Sequence, residues 1–120
     1  MREPAVFYAD VFAELGAVHL RRMFGGAGIY HQGVMFALVV DDVLYLKTDA
    51  DSAEDFLRRG LEPFTYTRAG RTIALSYHRA PDDILDDPAE AGLWGRRAVA
   101  SATLAGAKSS RRRRQRSRKP

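Results

Sequence analysis

The chain has no cysteine, which removes disulfides, thiolate metal sites and cysteine nucleophiles. Long apolar runs are also missing. The longest, Val34 to Val40, is seven residues and cannot cross a bilayer as a helix. Met1-Arg2-Glu3-Pro4 lacks the uninterrupted apolar stretch of a signal peptide. With no disulfides as well, a cytoplasmic location without membrane association is expected. No Gly-x-Ser-x-Gly surrounds Ser76, and no His-Glu-x-x-His is present; His19, His31 and His78 stand at no i,i+4 spacing. These absences point to a protein that is not an enzyme, with no catalytic residues, no metal site and no cofactor.

Acidic residues are missing from one stretch in particular. Residues 108–120 contain none of the fifteen Asp and Glu but hold eight of the nineteen Lys and Arg. The eight are Lys108, Arg111, Arg112, Arg113, Arg114, Arg116, Arg118 and Lys119. The formal charge of +4 therefore belongs to the tail, and the remaining eleven bases and fifteen acids make the body mildly acidic. With 120 residues there is room for one core, so one domain over 1–106 and a disordered basic tail over 107–120 are expected.

Along the body, Pro4 suits a first helical turn, and Phe7, Val11 and Leu15 recur every four residues up to Gly16. Residues 18–24 alternate as a strand, as do Ile29–His31 and Val43–Lys47; Val34–Val40 reads as a strand covered on both faces. Asp49 or Asp51 caps a second helix, with Glu54 placed as in a capping box and Phe56 and Leu57 inward. Phe64 and Tyr66 mark a further strand, and Ile73, Leu75 and Tyr77 share one face of the next. Asp87-Pro88 starts a last helix over about 88–106, with Leu93, Ala100 and Leu104 on its buried side and Trp94 flanking it. The order α-β-β-β-β-α-β-β-α implies an α+β fold, a single antiparallel sheet of meander plus hairpin with helices mostly on one side.

Two clusters invite chemistry. Gly25-Gly26-Ala27-Gly28 is glycine-rich, but a strand follows it where a phosphate loop needs a helix N-terminus, so a bulge or tight crossing is the better reading. Asp82-Asp83-Ile84-Leu85-Asp86-Asp87 could attract a hard cation, yet Asp87 serves as a cap and Asp-rich turns are common. The tail is the stronger signal. Arginine pairs with phosphate oxygens, and a flexible basic arm binds nucleic acid by releasing counterions, without reading sequence. Arg21 and Arg22, and Arg96 and Arg97 on the last helix, are candidate additions, although strand alternation sends Arg21 and Arg22 to opposite faces.

One stretch is more specific than composition. Arg21-Arg22-Met23-Phe24-Gly25-Gly26-Ala27-Gly28-Ile29-Tyr30, then Gly33–Leu38, Asp41–Lys47, Glu62–Tyr66, Ser76–Pro81 and Trp94–Ala98, resemble the N-terminal domain of the TfoX/Sxy family of bacterial competence regulators. The resemblance implies an α+β domain with no enzymatic activity, in a coactivator that works with the cyclic-AMP receptor protein. Longer members carry a second, C-terminal helical domain where this sequence has its arginine-rich tail. Much of the motif, namely Met23, Phe24, Gly25, Gly26, Gly28, Ile29 and Tyr30, is expected to specify the fold.

The function expected is therefore a DNA-associated accessory regulator of transcription, with DNA held nonspecifically through the tail and a transcription factor docked on the body. The alternative is a protein-interaction module whose tail is dispensable or regulatory.

Overall fold

The computed structural model describes the backbone of residues 3–23 and 25–117, and the side chains among them up to 107. The elements follow as α1 (Pro4–Val11), β1 (His19–Met23), β2 (Gly26–His31), β3 (Val34–Val40), β4 (Val43–Lys47), α2 (Ala50–Arg58), β5 (Pro63–Arg68), β6 (Arg71–Arg79), a 3-10 turn (Asp82–Leu85) and α3 (Pro88–Ser117). The six strands form one sheet in the order β1-β2-β3-β4-β6-β5, and every neighbouring pair is antiparallel. The α+β class and the meander-plus-hairpin arrangement expected from the sequence are both present. The hairpin β5–β6 joins the meander through its second strand, so β1 and β5 are left as the two edges.

All three helices pack on one side of this sheet. Tyr8, Val11 and Phe12 from the first helical region, Phe56 from α2 and Ala91, Trp94 and Ala98 from α3 share one core with Ile29, Phe36, Ala37, Leu44 and Leu46. Phe12 and Phe36 meet edge to face, with ring centroids 5.2 Å apart. That geometry contributes about 1 kcal/mol beyond simple burial. Two adjacent residues of β3, Phe36 and Ala37, both enter the core. Ile29 pairs with Ala37 and Tyr30 with Met35, which leaves Phe36 as the extra residue of a bulge. A bulge turns two consecutive side chains to the same face. The next residue, Leu38, is buried on the opposite face, so β3 is covered on both sides as its unbroken apolar run predicts.

Local signals set the helix ends. Asp49 caps α2: its Oδ1 accepts the Ser52 amide at 2.9 Å, while the Ser52 hydroxyl receives the Asp49 amide at 3.0 Å. The box is thus Asp49 with Ser52, in place of Asp51 with Glu54. Asp87 Oδ1 accepts the Glu90 amide at 3.2 Å at the start of α3. α1 ends at Val11 and reaches Gly16 through turns.

Two expectations about burial and one about helix length are corrected. Leu57 is 57% exposed, because α2 is one short helix with Phe56 alone turned to the core. On α3, Leu93 and Leu104 are 48% and 42% exposed and Ala100 is exposed too. The buried stripe is Ala91, Trp94, Ala98 and Ser101. Small residues let α3 lie close to the sheet, and Trp94 fills the remaining depth. A leucine stripe would hold the helix further off. Finally, α3 continues as helical backbone to Ser117, past the predicted end at 106. Ala107–Ser117 contains neither Gly nor Pro and is rich in good helix formers.

Candidate interaction surface

The family-like motif builds the sheet around β2. Ile29 is fully buried in the core, while Tyr30 next to it points to the helix-free face. Gly26 and Gly28 are required by close approach. A Cβ on Gly26 would sit 2.3 Å from the Val39 carbonyl oxygen, a backbone atom that cannot move aside. A Cβ on Gly28 would sit 2.6 Å from Met35 Sδ and 3.0 Å from Met23 Cε. The two methionines therefore fold over Gly28 on the helix-free side. Met23 ends β1, and Gly25 is a turn residue before β2. The expectation for Phe24 lies outside the described residues.

The candidate arginines are not gathered into one patch. Arg21 lies on the helix-free face with its guanidinium 5.5 Å from the Tyr30 ring centroid. Arg22, exposed, pairs with Ala27 and belongs to the opposite face. On α3, Arg96 is exposed. Arg97 is engaged within the chain: its guanidinium donates to Asp55 Oδ2 at 3.1 Å and stacks over Trp94 at 4.7 Å. That hydrogen bond is the main reason the Asp55 carboxyl is held below its usual range. The side chains of Lys108, Arg111, Arg112, Arg113, Arg114 and Arg116, and all of Arg118 and Lys119, lie outside the described residues.

The acidic cluster is similarly occupied. Asp82 pairs with Arg79 at 3.8 Å, and Asp87 caps α3. Among the described residues no three or more His, Asp or Glu side chains are placed to hold a metal ion. No helix among them is long and apolar enough to cross a membrane.

A feature the sequence reading missed is the division of charge between layers. Among the described residues no strand contains an aspartate or glutamate; the acids occupy helices, turns and connections. The strands carry Arg21, Arg22, Lys47, Arg68, Arg71 and Arg79. Pairing and alternation place all of these except Arg22 on the face away from the helices. Their neighbours there are aromatic. Lys47 Nζ stands 5.1 Å from the Tyr77 ring centroid, Tyr45 meets Phe64 edge to face at 5.0 Å, and Phe64 stacks on Tyr66 at 6.4 Å. Tyr77 and Leu38 are only 8% and 6% exposed although no helix covers them. Burial raises the Tyr77 phenol to about 12 and lowers the Lys47 ammonium. Arg79 is ion-paired with Glu62 at 3.5 Å and with Asp82, but Arg21 and Lys47 have no carboxylate partner among the described residues. The absence of acids from residues 17–40 and 63–81 is visible in the sequence. Which face the helices leave open is not.

Two curated proteins resemble this chain over part of their length. Protein Sxy of Escherichia coli (strain K12) is 29% identical over 75 residues, which is 62% of this chain and 36% of that protein. The DNA transformation protein TfoX1 of Aliivibrio fischeri (strain ATCC 700601 / ES114) is 31% identical over 64 residues, 53% of this chain and 31% of that one. The matched stretches thus span about a third of each relative. The model of the TfoX N-terminal domain matches residues 10–102, from the end of α1 into α3, and so takes in the glycine motif, the whole sheet and the Trp94 contact. On that match, the chain belongs to the TfoX N-terminal domain family.

Proposed function

We propose that this chain is a non-enzymatic accessory regulator related to the competence proteins, associated with DNA through its tail and with a protein partner through its body. The observation that carries the reading is the run Lys108–Lys119, with eight cations and no acid, attached to a body of opposite net charge. Such a run gives affinity for phosphates and no base readout. Specificity then has to come from the body, through a partner such as a transcription factor of the cyclic-AMP receptor protein kind. The names of the relatives, one a DNA transformation protein, favour a role near DNA.

Duplex-DNA binding by the full chain and by a 1–107 truncation, over a salt series, tests this. With all eight tail cations on phosphates, log K falls against log salt with a slope of about −7. Loss of both affinity and slope on truncation supports the reading. Binding that survives truncation moves the DNA site onto the body. No binding by either form at low salt removes DNA from the reading and leaves a protein-interaction module.

A further inference from the structure

The helix-free face of the sheet is apolar and aromatic in its middle and cationic around it, and it has no acid of its own in any strand. Tyr66 and Leu75 expose 38% and 37% of their surface on it. Charge and ring geometry together narrow what can cover such a face. A second copy of the chain would set Arg21, Lys47, Arg68 and Arg71 against their own like charges. The chain's 108–119 run is basic and is turned away for the same reason. A single-stranded nucleic acid would gain from bases stacked on open rings. Here the rings are already engaged: Arg21 covers Tyr30, Lys47 covers Tyr77, Tyr45 meets Phe64 and Phe64 stacks on Tyr66. What complements the face is a chain of negative charge that also brings apolar side chains.

We infer that this face docks an acidic, leucine- or phenylalanine-bearing segment of a protein partner, whose carboxylates meet Arg21 and Lys47 and whose apolar side chains cover Tyr66 and Leu75. The two cations lie over tyrosine rings without a carboxylate, so an incoming acid forms a charge-assisted hydrogen bond without breaking an existing ion pair. Arg79, already held by Glu62 and Asp82, stays out of the contact. The inference deepens the proposed function, because it rests on the body docking a protein, but it does not depend on the tail.

The test uses the full chain, isotope-labelled for amide shift mapping, and three probes: a synthetic peptide alternating glutamate with leucine and phenylalanine, its lysine-for-glutamate counterpart, and oligothymidylate. The acidic peptide should shift amides of β1, β4, β5 and β6, and the basic peptide should not. The double variant Arg21→Glu, Lys47→Glu should weaken the acidic peptide by about tenfold or more, since it reverses both charges that the peptide meets. The variant Tyr66→Ser, Leu75→Ser should weaken it through lost apolar cover, with charge unchanged. Arg21, Tyr66 and Leu75 are exposed and Lys47 is half-buried, so unchanged unfolding midpoints are required to certify the comparison. Shifts confined to 108–119, equal affinity in both variants, oligothymidylate taking the face in the peptide's place, or self-association through the face would each overturn the inference. Duplex-DNA binding by the same samples reads the tail separately. A chain that takes the peptide but not DNA keeps this inference and loses the DNA reading.

Discussion

Ser101 donates its hydroxyl to Asp49 Oδ2 at 2.8 Å, tying the middle of α3 to the residue that caps α2. The other carboxylate oxygen of Asp49 holds the Ser52 amide, so one side chain both starts a helix and anchors its neighbour. Asp49→Ala should lower stability by about 1–2 kcal/mol as a lost cap, and Ser101→Ala by about 1 kcal/mol as a lost buried hydrogen bond. Denaturant unfolding of the two single variants and the double will show a coupling between them if the bond is formed.

The same carboxylate gives an acid dependence. The hydrogen bonds from Ser52 and Ser101 hold the Asp49 pKa below its reference of 3.8. A depressed carboxylate contributes stability that is present above the unfolded value and lost as pH falls through the folded one. Unfolding midpoints of wild type and Asp49→Asn should therefore converge as pH drops below about 4. Parallel curves through that range would show that Asp49 is not the group responsible.

Tyr77 works at the other end of the scale. Its phenol is raised from 10.0 to about 12 by burial and by Tyr30. The folded state therefore keeps a proton that the unfolded state releases, so stability is complete below pH 10 and declines as pH rises towards 12. Tyr77→Phe should flatten that decline, measured as the unfolding midpoint against pH, without altering the low-pH limb.

Gly26 and Gly28 should differ in their response to alanine. At Gly26 the new methyl meets a backbone carbonyl, so the strand pairing itself has to yield; a loss of more than about 3 kcal/mol, or no folded protein, is expected. At Gly28 it meets two methionine side chains, which can rotate away, and the edge of the Tyr30 ring at 3.2 Å, which has to give only slightly; about 1–2 kcal/mol is expected. Thermal unfolding of the two variants ranks them.

Arg97 and the tail arginines should separate cleanly. Arg97→Ala removes a pair with Asp55 and a stack on Trp94, for a loss of about 1 kcal/mol in stability, and should leave the salt slope of DNA binding unchanged. Replacing Arg113 and Arg114 should leave stability unchanged and make the slope shallower by about 2.

Much of the fold was legible because its signals are local. Alternation fixed the strands, and Asp87-Pro88 located the start of α3. Facing was harder. Leu93 and Leu104 look like the natural apolar stripe of α3, yet the helix buries Ala91, Ala98 and Ser101, since the space beside the sheet is set by Trp94 and by neighbouring elements distant in sequence. The candidate surface was read only in part for the same reason. Arg21 was singled out from its own strand, whereas Lys47, Arg68 and Arg71 join it only when β4, β5 and β6 come to lie in one sheet. Ile73, Leu75 and Tyr77 were correctly placed on one face, but nothing local says that this face is left without helices.

The sheet has two open edges, and their charge bears on how the protein behaves when concentrated. β1 offers Arg21 and Arg22 along one edge, and β5 ends in Arg68 at the other. An unpaired edge is a template on which another copy can add a strand. Here an approach that aligns β1 with β1, or the Arg68 end of β5 with either edge, brings arginine to arginine, so the charges act as a colloidal guard. That guard is only as long as the Debye length, which shrinks from about 10 Å at 0.1 M salt to about 3 Å at 1 M. Salting the protein out therefore removes the repulsion between edges at the moment copies are most crowded, and a gentle low-salt concentration step is the one that keeps the edges apart.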